Sequence, residues 1–223
     1  MFADRKDAGF HLACKLFGCE ILAKADSSRL LVLSIPRGGV VVGQVVARLL
    51  DCDHAIIAVK KIGFPGFEEL AVGAIAEDSP ITLDNALLTE NDLTDADIEP
   101  QILQTKARID QCIQLFRQGA PLELGGRVVI LVDDGIATGE TMKAAIDWIQ
   151  SRHEICKLQA LIVAVPLASQ AMVKQLIGLV DAVVCVLTPK RLGAVGQFYH
   201  HFEQVSDEQV LDLLGIKQEA AAI

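Results

Sequence analysis

Short apolar runs alternate with amphipathic stretches along most of this sequence. A run that is apolar at every position is typical of a parallel strand, because such a strand is covered on both faces of its sheet. The stretches between the runs repeat apolar residues at three- and four-residue spacing, as helices do. The alternation predicts an α/β fold, a Rossmann-like and mainly parallel sheet of about five strands flanked by helices. The predicted strands are 30–35, 55–59, 70–76, 81–83, 128–132, 157–165 and 182–187.

Helices are predicted between and around these strands. The longest has Asp97 as its expected N-cap and ends at Gly119. Its apolar stripe from Ile98 to Phe116 is interpreted as a core face. Ser206 opens a Ser-Asp-Glu-Gln segment with the spacing of a capping box, which predicts a last helix through 214. The other helices are predicted at 4–24, 40–50, 141–149 and 169–179.

Composition indicates one domain with an aliphatic core. The chain has 223 residues and no linker rich in Ser, Gly and Pro, so residues 1–223 are expected to form a single domain. Hydrophobic residues make up 52% of the sequence and aromatic residues only 4%, which indicates aliphatic packing. No apolar stretch approaches the roughly 18 residues of a membrane span, and no export signal is recognised, so a cytoplasmic protein is expected.

Charge and cysteine usage exclude several function classes. The net charge of -9 argues against a broad nucleic-acid surface. Six cysteines are scattered without a C-x-x-C pair, which favours buried free thiols over a disulfide framework or a metal site. The adjacent His200 and His201 have no third ligand at useful spacing, so they are interpreted as surface or partly buried side chains.

The most specific pattern is RVVILVDDGIATGET at residues 127–141. A buried strand leads into Asp133 and Asp134, and then into a loop with two glycines and two threonines before a helix. Ligands bind at the carboxyl ends of strands in open α/β sheets. Glycines let the backbone approach a ligand, and free N–H groups at a helix start favour phosphate. The loop is not a Walker motif, because Glu140 stands where that motif needs lysine.

The acid pair distinguishes this loop from a simple phosphate site. Two carboxylates beside a phosphate loop are unfavourable unless they face other groups, and vicinal hydroxyls or a bridging cation would suit them. The plain alternative is a turn with threonine caps, which does not account for both acids. The pattern therefore indicates a sugar phosphate.

A second loop of similar chemistry follows the first predicted strand. The segment SIPRGG, residues 34–39, places one arginine and two glycines directly before a helix. A guanidinium and free backbone N–H groups suit a pyrophosphate group. The alternative is a Pro-Gly turn with a solvated arginine.

The strand, the DDGIATGET loop and the helix after it resemble the 5-phosphoribosyl-1-pyrophosphate (PRPP) motif of the type I phosphoribosyltransferases. The resemblance implies that Asp133 and Asp134 hold the ribose hydroxyls. It also assigns PRPP binding to the rest of this loop, which consists of Gly135, Ile136, Ala137, Thr138, Gly139, Glu140 and Thr141. The SIPRGG segment resembles the pyrophosphate loop of the family, which implies PRPP binding by Ser34, Pro36, Arg37, Gly38 and Gly39.

The same family places a flexible catalytic loop, rooted on a basic residue, after the next strand. Lys60 and Lys61 end the predicted strand 55–59, and the glycines and proline of 63–69 predict a break in regular structure. Side chains alternate across a strand, so one lysine faces the site, and Lys60 is favoured. Solvated lysines are the alternative. Glu77 and Asp78 either approach the metal or ribose or belong to a plain turn.

Segments beyond the loops extend the resemblance over nearly the whole chain. VKKIGFPGFEELAVGAIAED and AVGQFYHHFEQVSDEQV resemble a bacterial branch of predicted phosphoribosyltransferases. The N-terminal segment and about 189–223 are expected to form a small hood, in which Phe198 and Tyr199 could cap a base. That branch often has an aromatic residue in place of Leu192 and tryptophan in place of Phe198, so the acceptor is left open.

Together these patterns predict a magnesium-dependent phosphoribosyltransferase, a pentosyl-transferring glycosyltransferase of nucleotide metabolism. It would move the 5-phosphoribosyl group of PRPP to a nitrogenous acceptor and release pyrophosphate. Lys60, Arg37, Asp133 and Asp134 are the predicted catalytic residues. Mg²⁺ would be held mainly through PRPP, with Asp133 and Asp134 as optional ligands. The alternative is a PRPP-sensing regulator without turnover. A homodimer is expected because similar enzymes pair.

Overall fold

The computed structural model describes residues 1–79 and 81–216. The strands are β1 (Leu30–Ser34), β2 (Asp53–Ile56), β3 (Val59–Phe64), β4 (Phe67–Ala76), β5 (Thr82–Leu83), β6 (Val128–Val132), β7 (Ala160–Leu167) and β8 (Ala182–Leu187). The α-helices are α1 (Arg5–Leu16), α2 (Glu20–Lys24), α3 (Gly38–Leu50), α4 (Asn85–Glu90), α5 (Asp95–Arg117), α6 (Glu140–Ser151), α7 (His153–Cys156), α8 (Gln170–Ile177) and α9 (Asp207–Leu214). None of the described helices is long and apolar enough to cross a membrane.

The chain divides into two compact units. The first contains 1–56, 121–138 and the chain from 153 onward, and the second contains 57–120 and 139–152. The expectation of a single domain with a hood stays a prediction.

The first unit is built on a five-stranded sheet in the order β2-β1-β6-β7-β8, with every neighbouring pair parallel. This confirms the predicted α/β class with a parallel sheet flanked by helices. All five residues of β1 and of β6 are buried, as strands covered on both faces require. Helices α1 and α3 cover one face of the sheet. The main cluster consists of Leu12, Ala13, Leu16, Leu30, Val32, Val42, Val46, Ala47, Val128, Ile130, Val132, Ala160, Ile162, Ala164 and Val184.

Two element boundaries in this unit were predicted wrongly. The helix expected at 4–24 is two helices, because α1 ends at Leu16 and the chain turns through Phe17 and Gly18 before α2. Glycine is a poor helix former, so it marks this break. The strand expected from 157 begins only at Ala160, since Lys157 has a positive φ of 50° directly after α7.

The second unit carries a three-stranded antiparallel sheet in the order β3-β4-β5. The predicted strand 55–59 is divided between β2 and β3, so Lys60 and Lys61 lie inside β3 and not at a strand end. The segment 63–69, predicted to break regular structure, is mostly strand, because β3 and β4 form a hairpin with its turn at Pro65 and Gly66. Gly66 has a φ of +76°, which a tight turn between β3 and β4 can use.

The long helix α5 begins earlier than predicted. Thr94 is its N-cap, and Asp97 is the N3 residue of a capping box, so the expected cap at Asp97 was three residues late. The predicted core stripe is confirmed, because the buried face includes Ile98, Thr105, Ile109, Cys112 and Phe116. The capping box at Ser206 is also confirmed.

The six cysteines all lie within the described residues and form no disulfide. Cys112 and Cys185 are buried, as expected, whereas Cys14 is exposed on α1. The expected burial therefore holds for Cys112 and Cys185 but not for Cys14.

A buried ion pair joins the end of β4 to the end of α5. Arg117 donates to both carboxylate oxygens of Glu77, with Nη1 to Oε1 at 2.9 Å and Nη2 to Oε2 at 3.1 Å. The side chains are only 8% and 9% exposed. Burial raises the pKa of Glu77, and the Arg117 guanidinium opposes that rise. This pair accounts for Glu77 without a ligand.

We expect Arg117→Met to lower the free energy of unfolding by about 3 kcal/mol, because it leaves the Glu77 carboxylate buried without its cation. Urea denaturation measures this change. Lys106→Met, an exposed position of the same helix, is the control and should change stability by no more than about 0.5 kcal/mol. A loss below about 1 kcal/mol for Arg117→Met would contradict the assignment.

Candidate functional site

The two loops singled out by the sequence leave the same edge of the parallel sheet. In the pairing of β1 with β6, Ser34 lies opposite Val132, so both strands end at the same level. The backbone N–H of Ile35 donates to the carbonyl of Val132 at 2.9 Å, which continues the pairing past the end of β1. The segment 35–37 and the acid pair therefore start side by side.

The glycines of the first loop pack directly on the acid pair. A Cβ at Gly38 would overlap Asp134 Oδ2 and would lie 2.9 Å from Arg5 Nε. A Cβ at Gly39 would lie 3.0 Å from Asp133 Cα and 3.1 Å from Asp133 Oδ1. The structure thus brings the start of α3 and the two acids into contact, with no room for a Cβ at Gly38 and very little at Gly39.

Arg5 is the cation next to the acid pair, and the sequence analysis did not identify it. Its Nε lies 2.7 Å from Asp134 Oδ2, and the two side chains are 11% and 15% exposed. The backbone N–H of Asp134 donates to Asp133 Oδ1 at 2.8 Å. Burial and the charge of Asp134 raise the pKa of Asp133 well above its usual value. Burial also raises the pKa of Asp134, and Arg5 opposes that rise.

Tyr199 belongs to the core of the first unit and not to an open base-binding face. It is 5% exposed, and its ring packs against Phe2 and Phe202 with ring centroids 5.3 and 4.9 Å away. Its hydroxyl donates to the backbone carbonyl of Asp134 at 2.6 Å. Burial raises the pKa of the phenol, so the hydroxyl remains a donor. Phe198, the other predicted hood residue, is half-buried.

Ser34 is also placed differently from its prediction as a PRPP ligand. It is fully buried, and its Oγ lies 2.8 Å from His54 Nε2. The other ring nitrogen of His54 lies 2.9 Å from Gln44 Oε1. An acceptor at Gln44 assigns the ring proton to Nδ1, so Ser34 donates to Nε2. Burial lowers the pKa of His54 to about 4.

Arg37 stands at the N-cap of α3 and remains partly accessible. Its side chain is 38% exposed, with Nη1 3.6 Å from Asp207 Oδ1. The peptide bond between Pro36 and Arg37 is cis. The half-exposed Asp207 makes this a weak ion pair, which an anion at the helix start could replace.

The loop after the acid pair is anchored at its middle and exposed at its end. Ile136 is buried, and its N–H donates to the Leu167 carbonyl at 2.8 Å. Gly135 packs on Val195, since a Cβ there would lie 2.6 Å from Val195 Cγ1. Ala137 and Thr138 are exposed at the end of the loop.

The remaining predicted site residues belong to the second unit. Gly139 has a φ of +90° and is the N-cap of α6, which begins at Glu140, one residue earlier than predicted. Lys61 Nζ lies 3.3 Å from Glu140 Oε2, while Lys60 and Thr141 are half-buried.

Asp78 is used inside the second unit. It accepts a hydrogen bond from Trp148 Nε1 at 2.9 Å and pairs with Arg152. With Glu77 held by Arg117, both acids left open by the sequence have protein partners.

Comparison with known proteins identifies the family of the chain. The model of the phosphoribosyl transferase domain matches residues 12–184, well over half of the sequence. The chain belongs to the phosphoribosyl transferase domain family. The family resemblance inferred from the two loops is therefore confirmed.

Relatives and a solved structure agree with this membership. Two curated Mycobacterium tuberculosis proteins, each named "Putative phosphoribosyl transferase", are 36% identical over 215 residues. The match covers 96% of this chain but 46% of each relative, so the chain spans about half the length of these proteins. The crystal structure of TT1426 from Thermus thermophilus is 33% identical with a TM-score of 0.73, covering 96% of this chain and 97% of that one.

Several residues that contact or surround the acid pair lie outside the segment matched by the family model. Both glycine-containing loops lie within residues 12–184, whereas Arg5, Tyr199 and Phe202 lie outside this segment. The matched domain segment therefore contains Asp134 but not Arg5 and Tyr199, which contact it.

We expect Gly38→Ala to separate the two loops, because its methyl group would overlap a carboxylate that Arg5 holds in place. The free energy of unfolding should fall by about 1–3 kcal/mol, as overpacking does in other tightly packed sites. Thermal or urea unfolding checks the loss. Gly18→Ala is the matched control, since the nearest atom to its Cβ is 3.5 Å away. Equal stability of the two variants would contradict the packing argument.

We also expect His54 to make the fold less stable in acid. The folded pKa of about 4 is below the unfolded value of 6.5, so the unfolded chain takes up the proton first as the pH falls. Between pH 6.5 and 4 the wild type should lose up to about 3 kcal/mol more than His54→Gln. Urea unfolding across this range measures the difference. Identical slopes for wild type and His54→Gln would refute the assignment.

Proposed function

We propose that this member of the family is a phosphoribosyltransferase that transfers the 5-phosphoribosyl group of PRPP to a nitrogenous, nucleobase-like acceptor. The observation that carries the proposal is the contact between the start of α3 and the acid pair. The start of α3, which favours an anion, lies next to the two carboxylates, which can accept hydrogen bonds from hydroxyl groups. PRPP has a pyrophosphate and two ribose hydroxyls next to each other, so it suits both.

The first loop is proposed to bind pyrophosphate. Arg37, Gly38 and Gly39 form the start of α3, a helix of 13 residues whose free N–H groups favour an anion. The Arg37 guanidinium adds a charge-assisted donor. Pro36 directly precedes Arg37 in this loop. Ser34 is buried at the end of β1 and hydrogen-bonds to His54.

The acid pair is proposed to bind the ribose hydroxyls. Carboxylate oxygens accept hydrogen bonds from hydroxyl groups, and a bound sugar would be oriented by them for displacement at its first carbon. The segment of Gly135, Ile136, Ala137 and Thr138 follows directly and is proposed to bind the 5-phosphate. Roles in PRPP binding for Lys60, Lys61, Gly139, Glu140 and Thr141 are proposed from the family resemblance.

The residues at the candidate site suit a Mg²⁺ ion that is held mainly by PRPP. The described residues contain no group of three or more His, Cys, Asp and Glu side chains that could hold a metal. Mg²⁺ usually keeps phosphate and water ligands and takes one or two carboxylates, for which Asp133 and Asp134 are the candidates. When bound, the ion would neutralise charge on the pyrophosphate.

The proposed reaction is a substitution at the first carbon of the ribose. A nitrogen lone pair of the acceptor forms the new bond to that carbon, while the bond to pyrophosphate breaks and pyrophosphate keeps the electron pair. The nitrogen then loses its proton to solvent. Arg37 and the α3 start would stabilise the charge that grows on the leaving group. A cytoplasmic homodimer remains the expectation for the assembled protein.

Calorimetry with PRPP and Mg²⁺ tests the binding step. Wild type should bind, and Asp133→Asn and Asp134→Asn should each bind at least about tenfold more weakly, since one charge-assisted hydrogen bond contributes about 1.5–3 kcal/mol. Asp110→Asn, at an exposed position of α5, is the control and should bind like wild type. Thermal unfolding verifies that each variant is folded.

Absence of wild-type binding would refute the proposal, and wild-type affinity in both Asp133→Asn and Asp134→Asn would refute the acid assignment. A screen for PRPP-dependent pyrophosphate release with a panel of nucleobases then tests turnover. Binding without release from any base would favour the sensing module over the enzyme.

A further inference from the structure

Two segments far apart in the sequence, around Arg5 and around Tyr199, both contact Asp134. Arg5 near the N-terminus contacts its carboxylate, with Nε 2.7 Å from Oδ2. Tyr199 contacts its backbone, with the hydroxyl 2.6 Å from the carbonyl oxygen. The N–H of Phe2 donates to the Phe198 carbonyl at 2.9 Å, and that of His200 donates to the Phe2 carbonyl at 2.9 Å, which ties the two segments together. Both the side chain and the backbone of one acid are therefore held from outside its own loop.

The Arg5 side chain is held by two further contacts within the protein. Its Nη1 donates to the Glu203 carbonyl at 2.8 Å, and its guanidinium carbon lies 3.8 Å from the centre of the Phe202 ring. These contacts restrict a side chain that would otherwise be flexible. A fixed guanidinium can orient a carboxylate, because the pair does not have to be ordered when the ligand arrives.

The contact is made from one guanidinium nitrogen to one carboxylate oxygen. Oδ2 is occupied by Arg5, while Oδ1 retains acceptor capacity for a hydroxyl group. The overlap of a Gly38 Cβ with Oδ2 places this ion pair directly against the start of α3. Rotation of the carboxylate is limited from both sides.

We infer that Arg5, assisted by Tyr199, is a positioning residue that aims Asp134 at the ribose of PRPP. The inference rests on the proposed function. It assigns a role to a residue outside the family segment 12–184. Arg5 acts through Asp134 and does not itself contact the pyrophosphate, because its guanidinium is engaged by Asp134, Glu203 and Phe202 and its side chain is 11% exposed.

Calorimetry with two ligands separates positioning from direct anion binding. Arg5→Gln should bind PRPP with Mg²⁺ about tenfold more weakly, by analogy with the lower end of the loss found when a group that orients a metal ligand is removed. It should bind inorganic pyrophosphate with Mg²⁺ like wild type. In an Asp134→Asn background, Arg5→Gln should cause no further loss of PRPP affinity. Arg5→Lys, which retains the charge, should recover part of the loss.

Two further variants complete the design. Lys6→Gln removes a neighbouring, exposed positive charge and should leave both affinities unchanged. Tyr199→Phe removes only the hydroxyl on the Asp134 carbonyl, and it should weaken PRPP binding about threefold while sparing pyrophosphate. This milder variant decides the matter if Arg5→Gln does not fold.

Wild-type affinity for PRPP in both Arg5→Gln and Tyr199→Phe would overturn the inference. So would a loss that is equal for PRPP and pyrophosphate and that persists with Asp134→Asn, because it would show that Arg5 contacts the anion directly. A wild type that binds pyrophosphate but not PRPP would refute the proposed function instead. The role inferred for Arg5 would then fall with it, because that role requires PRPP binding.

Discussion

Close packing of the α3 start on the acid pair is the constraint on which the candidate site depends. The register of β1 with β6 brings the two loops to the same level, and Gly38 and Gly39 allow their backbones to touch. Both glycines belong to the helical start, so the site requires the absence of a Cβ and not a left-handed backbone. The parallel pairing of β1 with β6 would not by itself bring the two loops into contact if a larger residue replaced Gly38 or Gly39.

This packing creates an electrostatic problem that the rest of the first unit resolves. Two adjacent, half-buried carboxylates repel each other, and their partial burial raises the pKa of both acids. Arg5 lowers the cost for Asp134, and the Asp134 N–H donates to Asp133. The charge of Arg5 also opposes the rise in the pKa of Asp133, but its direct contact is with Asp134. The pair is therefore asymmetric, and a ligand carrying hydroxyls or a cation would stabilise its charge.

The backbone could be predicted better than the direction of the side chains. The apolar runs at β1, β6 and β8 predicted their strands to within a residue, whereas the β3–β4 hairpin was missed because its Gly and Pro residues suit a tight turn as well as an irregular loop. Ser34 looked like a ligand because it precedes the first loop, yet alternation along the strand turns it toward His54. Tyr199 looked like a base cap because aromatics are rare in this chain, yet its ring is buried. In both cases the direction of the side chain depends on tertiary neighbours, which the sequence pattern does not show.

Arg5 shows a different limit of sequence reasoning. It is separated from Asp134 by 129 positions and belongs to a short N-terminal helix with no motif of its own. An isolated arginine near a chain end carries no signal, whereas two adjacent acids after a strand imply that some cation or ligand must compensate them. The demand for a partner was therefore visible in the sequence, although the partner was not. A family pattern locates the groups that meet a ligand, and the contacts that orient those groups come from segments the pattern does not include.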